Sequence, residues 1–270
     1  MFKYVLKRWK LYKYRFVPWI AANITENSPR LVPNVLEDKI IPDISVEQTL
    51  LSLFTKFEYT SDLSLVDQHR KNSNILLNEV GFSIGRQAST LKDGGRGVFV
   101  TQGLVPEQTL VAIYPGLVYQ PWEPVFWVSL ANPFLFRCAD GVHIDGKDTG
   151  LSKFMYKSCS GRDSVCGQLM CDTSWLTELP VNPLAVGQYV NNQSPECPAN
   201  VAYQEFDVPL SFPAHLRKYL PNTQAGLHIE GVNRDSEIPR LLRLVVLVSL
   251  REIVKGEELF STYYTIVQKP

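Results

Sequence analysis

A stretch rich in side-chain amides, residues 188–200, has the composition of a ligand-binding loop. Its apolar start, Tyr189-Val190, is typical of the end of a buried strand, and Asn191 and Asn192 follow directly. Two prolines further along interrupt regular backbone pairing, so the amides are expected on a rigid loop. Each amide donates and accepts hydrogen bonds, which suits a polar organic ligand better than a metal or a phosphate. Taken alone, however, the stretch is better explained by a turn-rich loop that satisfies its own backbone.

Three further segments carry residues that suit a binding site, although each also has a simpler structural explanation. Residues 94–97 read Gly-Gly-Arg-Gly, and clustered glycines let a ligand approach the backbone closely. They lack the Lys-Ser/Thr of a phosphate-binding loop and no helical pattern follows, so a turn into a strand is the alternative. Residues 113–116 are the predicted end of a strand at Tyr114. Residues 250–264 are predicted as strand, tight turn and strand, ending in two tyrosines.

In this order and at these intervals, the four segments resemble the SET-domain family of protein lysine methyltransferases. The family's glycine motif matches residues 95–97, and its tyrosine–glycine motif begins at Tyr114. Its arginine–aromatic–isoleucine–asparagine–histidine–serine motif lies over residues 188–193. Its glycine–glutamate–glutamate–leucine motif lies over residues 256–259, which places the family's active-site tyrosine at Tyr263. The matches are specific as a set, whereas no single match would suffice.

The resemblance covers about residues 80–268 and implies both a fold and an activity. The implied fold is mainly β, a SET fold of several small sheets with a knot-like C-terminal segment. An α-helical N-terminal extension precedes it, so that the chain is α+β overall. The implied activity transfers a methyl group from the cofactor S-adenosyl-L-methionine to a lysine amine of a protein substrate, histone or non-histone. The donor is already an activated sulfonium, so no metal is expected.

The resemblance also implies roles for individual residues. Tyr263 is expected to supply the catalytic hydroxyl and to contact the cofactor. The other residues expected to bind the cofactor are Gly95, Arg96, Gly97, Tyr114, Tyr189, Asn191 and Asn192. Tyr203 falls where some family members place a tyrosine of the substrate channel. For Tyr114 and Tyr203, a half-buried aromatic on a strand is an equally good interpretation.

Several motif positions depart from the family pattern. Asn192 stands where the family has its histidine, and Gln188 stands where it has its arginine. Residues 261–262 read Ser-Thr in place of the usual tyrosine–aspartate before the active-site tyrosine. These departures keep a second hypothesis open, a catalytically weak SET-fold module that binds a protein partner.

Composition excludes some classes of function. The 27 basic and 27 acidic residues give a net charge of zero, so direct nucleic-acid binding is not expected. The four histidines are scattered without a paired motif, which argues against a histidine-based metal enzyme. Cys159, Cys166 and Cys171 lack the spacing of a paired CxxC and are interpreted as ordinary thiols, with joint metal binding as the alternative. No apolar run is long enough to span a membrane.

The N-terminal residues 1–36 contain seven basic residues and one acid, with aromatic residues interleaved. Three interpretations are open: an organelle-targeting presequence, a basic arm that touches an acidic partner, and an ordered segment packed on the main domain. Because no secretory signal is present, the protein is expected to be intracellular, in the nucleus or cytoplasm. Mitochondrial targeting by the basic segment is the alternative.

The rest of the chain divides by its hydrophobic periodicity. A capping-box pattern, Ser45 with Gln48, predicts a helix over residues 45–57, and a second helix over 63–80 ends at Gly81. Short β-rich runs follow. We therefore predict a basic, aromatic arm and helical extension over residues 1–80. A SET-like domain over residues 81–270 is predicted to carry surface insertions at about 147–183 and 209–240, which are expected to shape a substrate or partner site.

Overall fold

The structure is a computed structural model. It describes residues 12–13, 30–32, 39–59, 62–92, 94–130, 132–163, 170–226, 241–263 and 265–267. The basic arm predicted at residues 1–36 lies almost entirely outside these ranges, as do Cys166 and the end of the second predicted insertion, residues 227–240.

Four α-helices lie within the described residues, namely α1 Asp43–Lys56, α2 Leu65–Val80, α3 Phe126–Ser129 and α4 Gly150–Arg162. Three short 3-10 helices are Ser174–Leu176, Gly187–Tyr189 and Ala214–Tyr219. The strands are β1 Tyr12–Lys13, β2 Arg30–Val32, β3 Phe82–Ala88, β4 Arg96–Val105, β5 Leu110–Tyr114, β6 Gly116–Tyr119, β7 Leu135–Arg137, β8 His143–Asp145, β9 Asn191–Asn192, β10 Val201–Val208, β11 Asn222–Gln224, β12 Leu242–Ser249, β13 Ile253–Val254, β14 Phe260–Ser261 and β15 Thr265–Val267.

The strands form several small sheets, which confirms the predicted mainly β fold with helices near its N-terminal side. The largest has the order β5-β12-β10-β14-β9. A second has the order β11-β6-β8-β7, and two three-stranded sheets have the orders β13-β4-β3 and β1-β15-β2. Strands β5, β10 and β12 are almost fully buried, and for β5 and β12 this is expected from their apolar sequences.

The C-terminal segment passes between the two ends of the amide loop. Strand β14 lies between β9 and β10 and pairs in parallel with both. The buried side chain of Asn200 holds this crossing: its Nδ2 donates to the Glu258 carbonyl at 2.8 Å, and its Oδ1 accepts from the Phe260 amide at 2.8 Å. The predicted knot-like C-terminal arrangement therefore depends on an amide side chain that satisfies the backbone of the threaded segment.

The two predicted helices are present, but the start predicted for the first one is wrong. Helix α1 begins at Asp43, and the Ser45 amide donates to the Pro42 carbonyl at 2.9 Å. Ser45 is therefore inside the helix and does not cap it. The buried side chain of Gln204 holds the preceding backbone by accepting from the Ile41 amide at 3.1 Å and donating to the Ile41 carbonyl at 2.8 Å. This contact from a distant strand, rather than local capping, sets where α1 begins.

Helix α2 ends as predicted from the sequence. Gly81 adopts φ of 84°, the left-handed conformation that glycine reaches without strain, and its amide donates to the Leu77 carbonyl at 2.9 Å. At the other end, the Ser64 hydroxyl accepts from the Asp67 amide at 3.2 Å. Local residue types at both ends thus account for the bounds of this helix.

A main hydrophobic core joins the helical part to the sheets. It includes Leu50 and Phe54 of α1, Leu76 of α2, and residues of β5, β10 and β12. A second, smaller core lies beneath α4. The ring centres of Tyr156 and Trp175 are 4.9 Å apart there, and both rings belong to one cluster with residues of β6. The predicted insertion at about 147–183 is therefore packed against β6 and α3 through this second core. The division of the chain into domains stays a prediction.

In the part of the chain that the structure describes, no helix combines the length and the apolar character that crossing a membrane requires.

Candidate functional site

Tyr263 is held at two points by the amide loop. Its hydroxyl donates to the Val190 carbonyl at 2.9 Å, and its backbone amide donates to Oδ1 of Asn192 at 2.9 Å. The parallel pairing of β9 with β14 brings these residues together although about 70 positions separate them in the chain. The sequence predicted that Tyr263 and the amide loop belong to one site, and the structure places them in direct contact.

Asn191 connects the amide loop to the glycine motif. Its Nδ2 lies 3.0 Å from the Arg96 carbonyl, 3.1 Å from Oγ of Ser89 and 3.2 Å from Oε1 of Glu258. An amide nitrogen carries two hydrogens, so these three acceptors share it. The protein's own groups, from two other motifs, thereby orient the side chain of Asn191.

Glu258 is a functional candidate that the sequence analysis missed. It is only 5% exposed, yet no cation pairs with it among the described residues. Four donors surround its carboxylate instead: the Ser89 hydroxyl at 2.7 Å, the Thr90 amide and hydroxyl at 2.7 and 2.6 Å, and Asn191. A buried carboxylate is tolerated when hydrogen bonds replace its hydration. Its position in the glycine–glutamate–glutamate–leucine motif was the available signal, but the sequence does not reveal its partners.

The two glycines of the glycine motif differ in their surroundings. Gly95 has φ of 63°, and a Cβ atom built on it would meet nothing within 4 Å. A Cβ built on Gly97 would lie 2.1 Å from Oε1 of Glu258. Gly97 therefore makes room for the buried carboxylate, whereas the backbone at Gly95 borders open space. Between them, Arg96 forms an exposed ion pair with Glu178 at 2.5 Å.

Tyr189 links the amide loop to the first insertion. Its hydroxyl donates to Oδ2 of Asp148 at 2.6 Å, and the guanidinium of Arg86 lies 4.9 Å above its ring. Burial, and then the hydrogen bond to Asp148, raise the pKa of the Tyr189 hydroxyl to about 12. Tyr189 is therefore protonated at neutral pH and acts as a hydrogen-bond donor.

Tyr114 and Tyr203 lie inside the main core. The Tyr114 hydroxyl donates to the Phe134 carbonyl at 2.8 Å, and its ring centre is 5.1 Å from that of Phe136. The ring of Tyr203 packs on Phe136 at 5.0 Å and on Tyr114 at 6.2 Å. Both side chains are almost completely buried. Both therefore pack as core aromatics, in the same cluster against which Tyr263 packs, and their roles in cofactor binding and in the substrate channel stay predictions.

One group of potential metal ligands occurs among the described residues, away from the amide loop. Ligand atoms of Cys138, Asp140 and Glu205 lie within 4.8 Å of one another. Arg243 already donates to Glu205 at 2.6 Å and to Asp140 at 3.0 Å, and also to Asp207 at 2.7 Å. The guanidinium supplies the positive charge that these carboxylates need. Cys159 and Cys171 are buried, and Cys166 lies outside the described ranges.

The candidate site is thus a region of polar groups contributed by the glycine motif, the amide loop and Tyr263, with the buried carboxylate of Glu258 bound to Asn191. It offers amide hydrogen-bonding groups at Asn191 and Asn192, an accessible backbone at Gly95, and a phenol at Tyr263. Such groups suit a polar organic ligand.

Comparison with known proteins identifies the class to which this arrangement belongs. No protein-family profile matches the chain. Two curated relatives both bear the name SET domain-containing protein 9. The one from Homo sapiens is 46% identical over 297 residues, covering 97% of this chain and 96% of the relative. The one from Pongo abelii is 45% identical over 272 residues, covering 88% of this chain and 96% of the relative. The chain belongs to the SET-domain family and, within it, to the group of SET domain-containing protein 9.

Solved structures of low similarity include other SET-domain proteins. A crystal structure of CpSET8 from Cryptosporidium has a TM-score of 0.36 and 16% identity, covering 97% of this chain and 94% of that one. A structure of ctPRC2 in an autoinhibited conformation bound to S-adenosylmethionine has a TM-score of 0.34 and 13% identity, covering 67% of this chain and 15% of that one. Scores this low support no assignment of individual residues.

Proposed function

We propose that this protein transfers a methyl group from S-adenosyl-L-methionine to a lysine amine of a protein substrate. Membership of the SET-domain family supports methyl transfer as the class of reaction. The observation that carries the proposal is the fixed position of Tyr263, whose hydroxyl is bound to the Val190 carbonyl at 2.9 Å and whose backbone is bound to Asn192. Two contacts with the amide loop thus orient this phenol.

The residues present fit the proposed cofactor. The open space beside Gly95 leaves its backbone accessible, and Asn191 and Asn192 supply amides that can hydrogen-bond to the polar groups of the ligand. When bound, the cofactor supplies an activated methyl group on a sulfonium, so that the protein needs no metal for this step. The protein has to exclude water, align the amine and lower its pKa.

The lysine amine has to lose its proton before it can attack. An exposed lysine has a pKa of about 10.4, and burial together with a neighbouring positive charge lowers it. Alignment of the reacting groups contributes by converting a bimolecular step into an oriented one. In the proposed mechanism, the oxygen of Tyr263 and nearby backbone carbonyls such as Val190 stabilise the positive charge shared between amine and methyl group.

Calorimetry and single-turnover methylation test this proposal. We expect the full chain to bind S-adenosyl-L-methionine, and absence of heat and of a thermal shift at millimolar cofactor would refute the enzymatic function. We expect Tyr263→Phe to reduce methyl transfer by about 100-fold or more with little change in cofactor affinity. Tyr219→Phe is the matched control, because its hydroxyl also donates to a backbone carbonyl, that of Phe57, at 2.6 Å. Activity of the Tyr263 variant equal to that of the control variant would exclude the proposed role.

A second proposal is a SET-fold module that binds a protein partner and has little activity. The residue type at position 192 favours it, since asparagine stands where the family has its histidine and therefore departs from the family's active pattern. The same calorimetry separates the two functions, because a binding module that lacks cofactor affinity produces no heat with S-adenosyl-L-methionine.

A further inference from the structure

A basic cavity lies where the first insertion meets the helical extension. Its volume is about 210 Å³. Helix α4 contributes Lys153 and Lys157, and Lys218 comes from the second insertion. Tyr59, which follows α1, and Leu65, at the start of α2, contribute an aromatic and an apolar wall. Three ammonium groups from two separate parts of the chain therefore border one open cavity.

The three ammonium groups have no carboxylate partner within the described ranges. Lys153 donates to the Leu176 carbonyl at 3.2 Å. The ammonium of Lys218 lies 5.7 Å from the ring centre of Tyr59 and 5.1 Å from that of Tyr219. These contacts hold two of the lysines in place without neutralising their charge. Like charges four residues apart, as at positions 153 and 157, weaken a helix, so folding alone does not explain the arrangement.

One carboxyl group borders the same cavity, and its oxygens are directed into its own loop. Asp172 is 3% exposed and accepts from the Ser174 amide at 2.7 Å, the Ser174 hydroxyl at 2.5 Å and the Asn182 amide at 3.4 Å. Counting this carboxylate against the three lysines leaves the cavity with an excess of two positive charges. A bound dianion would balance this excess of two positive charges.

We propose that this cavity is a binding site for a phosphate group. Lysines act as point charges toward phosphate and suit its tetrahedral oxygens without the planar geometry that a carboxylate requires. The cavity has room for about seven water molecules by volume, more than a single phosphate displaces. The wall formed by Tyr59 and Leu65 offers the remaining space to a carbon chain that carries the phosphate. A phosphorylated side chain uses the cavity more completely than inorganic phosphate does.

The loop on one side of the cavity also reaches the candidate methyl-transfer site. Thr177 borders the cavity, and its carbonyl accepts from Arg86 at 2.6 Å. Arg86 lies over the ring of Tyr189, and Glu178 pairs with Arg96. The phosphate site is therefore separate from the amide loop but shares a structural element with it. Phosphate binding does not depend on whether the protein methylates lysine.

Titration calorimetry on the full chain tests the proposal with four probes: inorganic phosphate, a short phosphoserine peptide, and the same peptide with serine or with glutamate at that position. We expect saturable binding of the phosphorylated probes and none of the serine peptide. Tighter binding of the phosphoserine peptide than of inorganic phosphate would identify the carried phosphate as the occupant, and equal affinity would identify the free ion. Equal binding of a glutamate peptide, or no binding of any phosphorylated probe at millimolar concentration, would overturn the proposal.

Charge-removing variants locate the site. Methionine keeps the aliphatic stem of lysine, so Lys157→Met and Lys218→Met are expected to fold and to weaken phosphate binding by about tenfold each. Lys255→Met removes the same charge from an exposed turn outside the cavity and should leave the affinity unchanged. Equal weakening by all three variants would show nonspecific charge attraction and refute the site.

Without phosphate, Lys157→Met should raise the midpoint of thermal unfolding, because it removes a like-charge pair.

Discussion

The side chain of Asn191 donates a hydrogen bond to Oε1 of Glu258 at 3.2 Å. The amide loop and the glycine–glutamate–glutamate–leucine segment are thereby joined through side chains as well as through strand pairing. The same carboxylate binds Ser89 and Thr90, which lie just before the glycine motif. Glu258 therefore connects three of the four segments that suggested the family, and it does so from a buried position.

Replacing Glu258 by glutamine tests this connection. The new amide would direct hydrogen atoms at donors that now face a carboxylate oxygen, so we expect a loss of about 2 kcal/mol in the free energy of unfolding. Urea denaturation measures this loss of stability. Glu257→Gln is the matched control in the same motif, because Glu257 forms a partly exposed ion pair with Arg251 at 2.7 Å. The control should lose less than about 1 kcal/mol. Similar losses in both variants would show that the buried carboxylate has no special role.

Gly97→Ala tests the space that this carboxylate needs. A Cβ atom there would lie 2.1 Å from Oε1 of Glu258, so the carboxylate must move and part of its hydrogen bonding is lost. We expect a destabilisation of about 1–3 kcal/mol, measured by thermal or urea unfolding. Gly161→Ala in α4 is the control, since its Cβ would meet nothing within 4 Å. That variant should be neutral or more stable by up to about 1 kcal/mol. A stable Gly97 variant would contradict the packing described above.

Arg243 balances three carboxylates at the edge of the large sheet. Its side chain is 13% exposed and binds Glu205, Asp140 and Asp207. Arg243→Met leaves these carboxylates together without a cation, so we expect a loss of about 3 kcal/mol or more in unfolding free energy. Arg70→Met is the comparison, because Arg70 pairs with Asp67 on the exposed face of α2. That change should cost less than about 1 kcal/mol, and an equally small loss for Arg243 would disprove its balancing role.

Asp172 makes stability depend on pH in a defined direction. Burial raises its pKa from 3.8 to about 6. Because the folded pKa lies above the unfolded one, the proton binds the folded state more tightly. This contribution to stability is complete below about pH 4 and is lost as the pH rises through about 6. The contribution of Asp172 to the free energy of unfolding changes by on the order of 3 kcal/mol across this range, since one pKa unit corresponds to about 1.4 kcal/mol.

Asp172→Asn removes this titration, so its unfolding free energy should vary less between about pH 4 and pH 7 than that of the wild type. Urea denaturation at several pH values measures the difference. Glu107→Gln changes an exposed carboxyl in a turn and should keep the wild-type dependence. Identical pH profiles for wild type and Asp172→Asn would rule out a buried carboxyl with a raised pKa.

Much of the fold was predictable because local rules agree with the tertiary structure. The bounds of α2 follow from Ser64 and Gly81, and the apolar runs of β5 and β12 became buried strands of the largest sheet. The start of α1 was predicted wrongly because Gln204, more than 150 positions away, holds the backbone before the helix. No local pattern contains that contact.

The sequence by itself determined the order of the four motifs, the family that they indicate and the expectation that Tyr263 and the amide loop belong to one site. Only the tertiary structure decided that Gly97 faces a carboxylate and that Tyr114 packs in the core. It also decided which lysines share a cavity. The physical reason is the range of the interactions. Residue type and spacing encode turns, caps and periodicity, whereas a bond such as Ser89 to Glu258 joins residues 169 positions apart and exists only after the chain has packed.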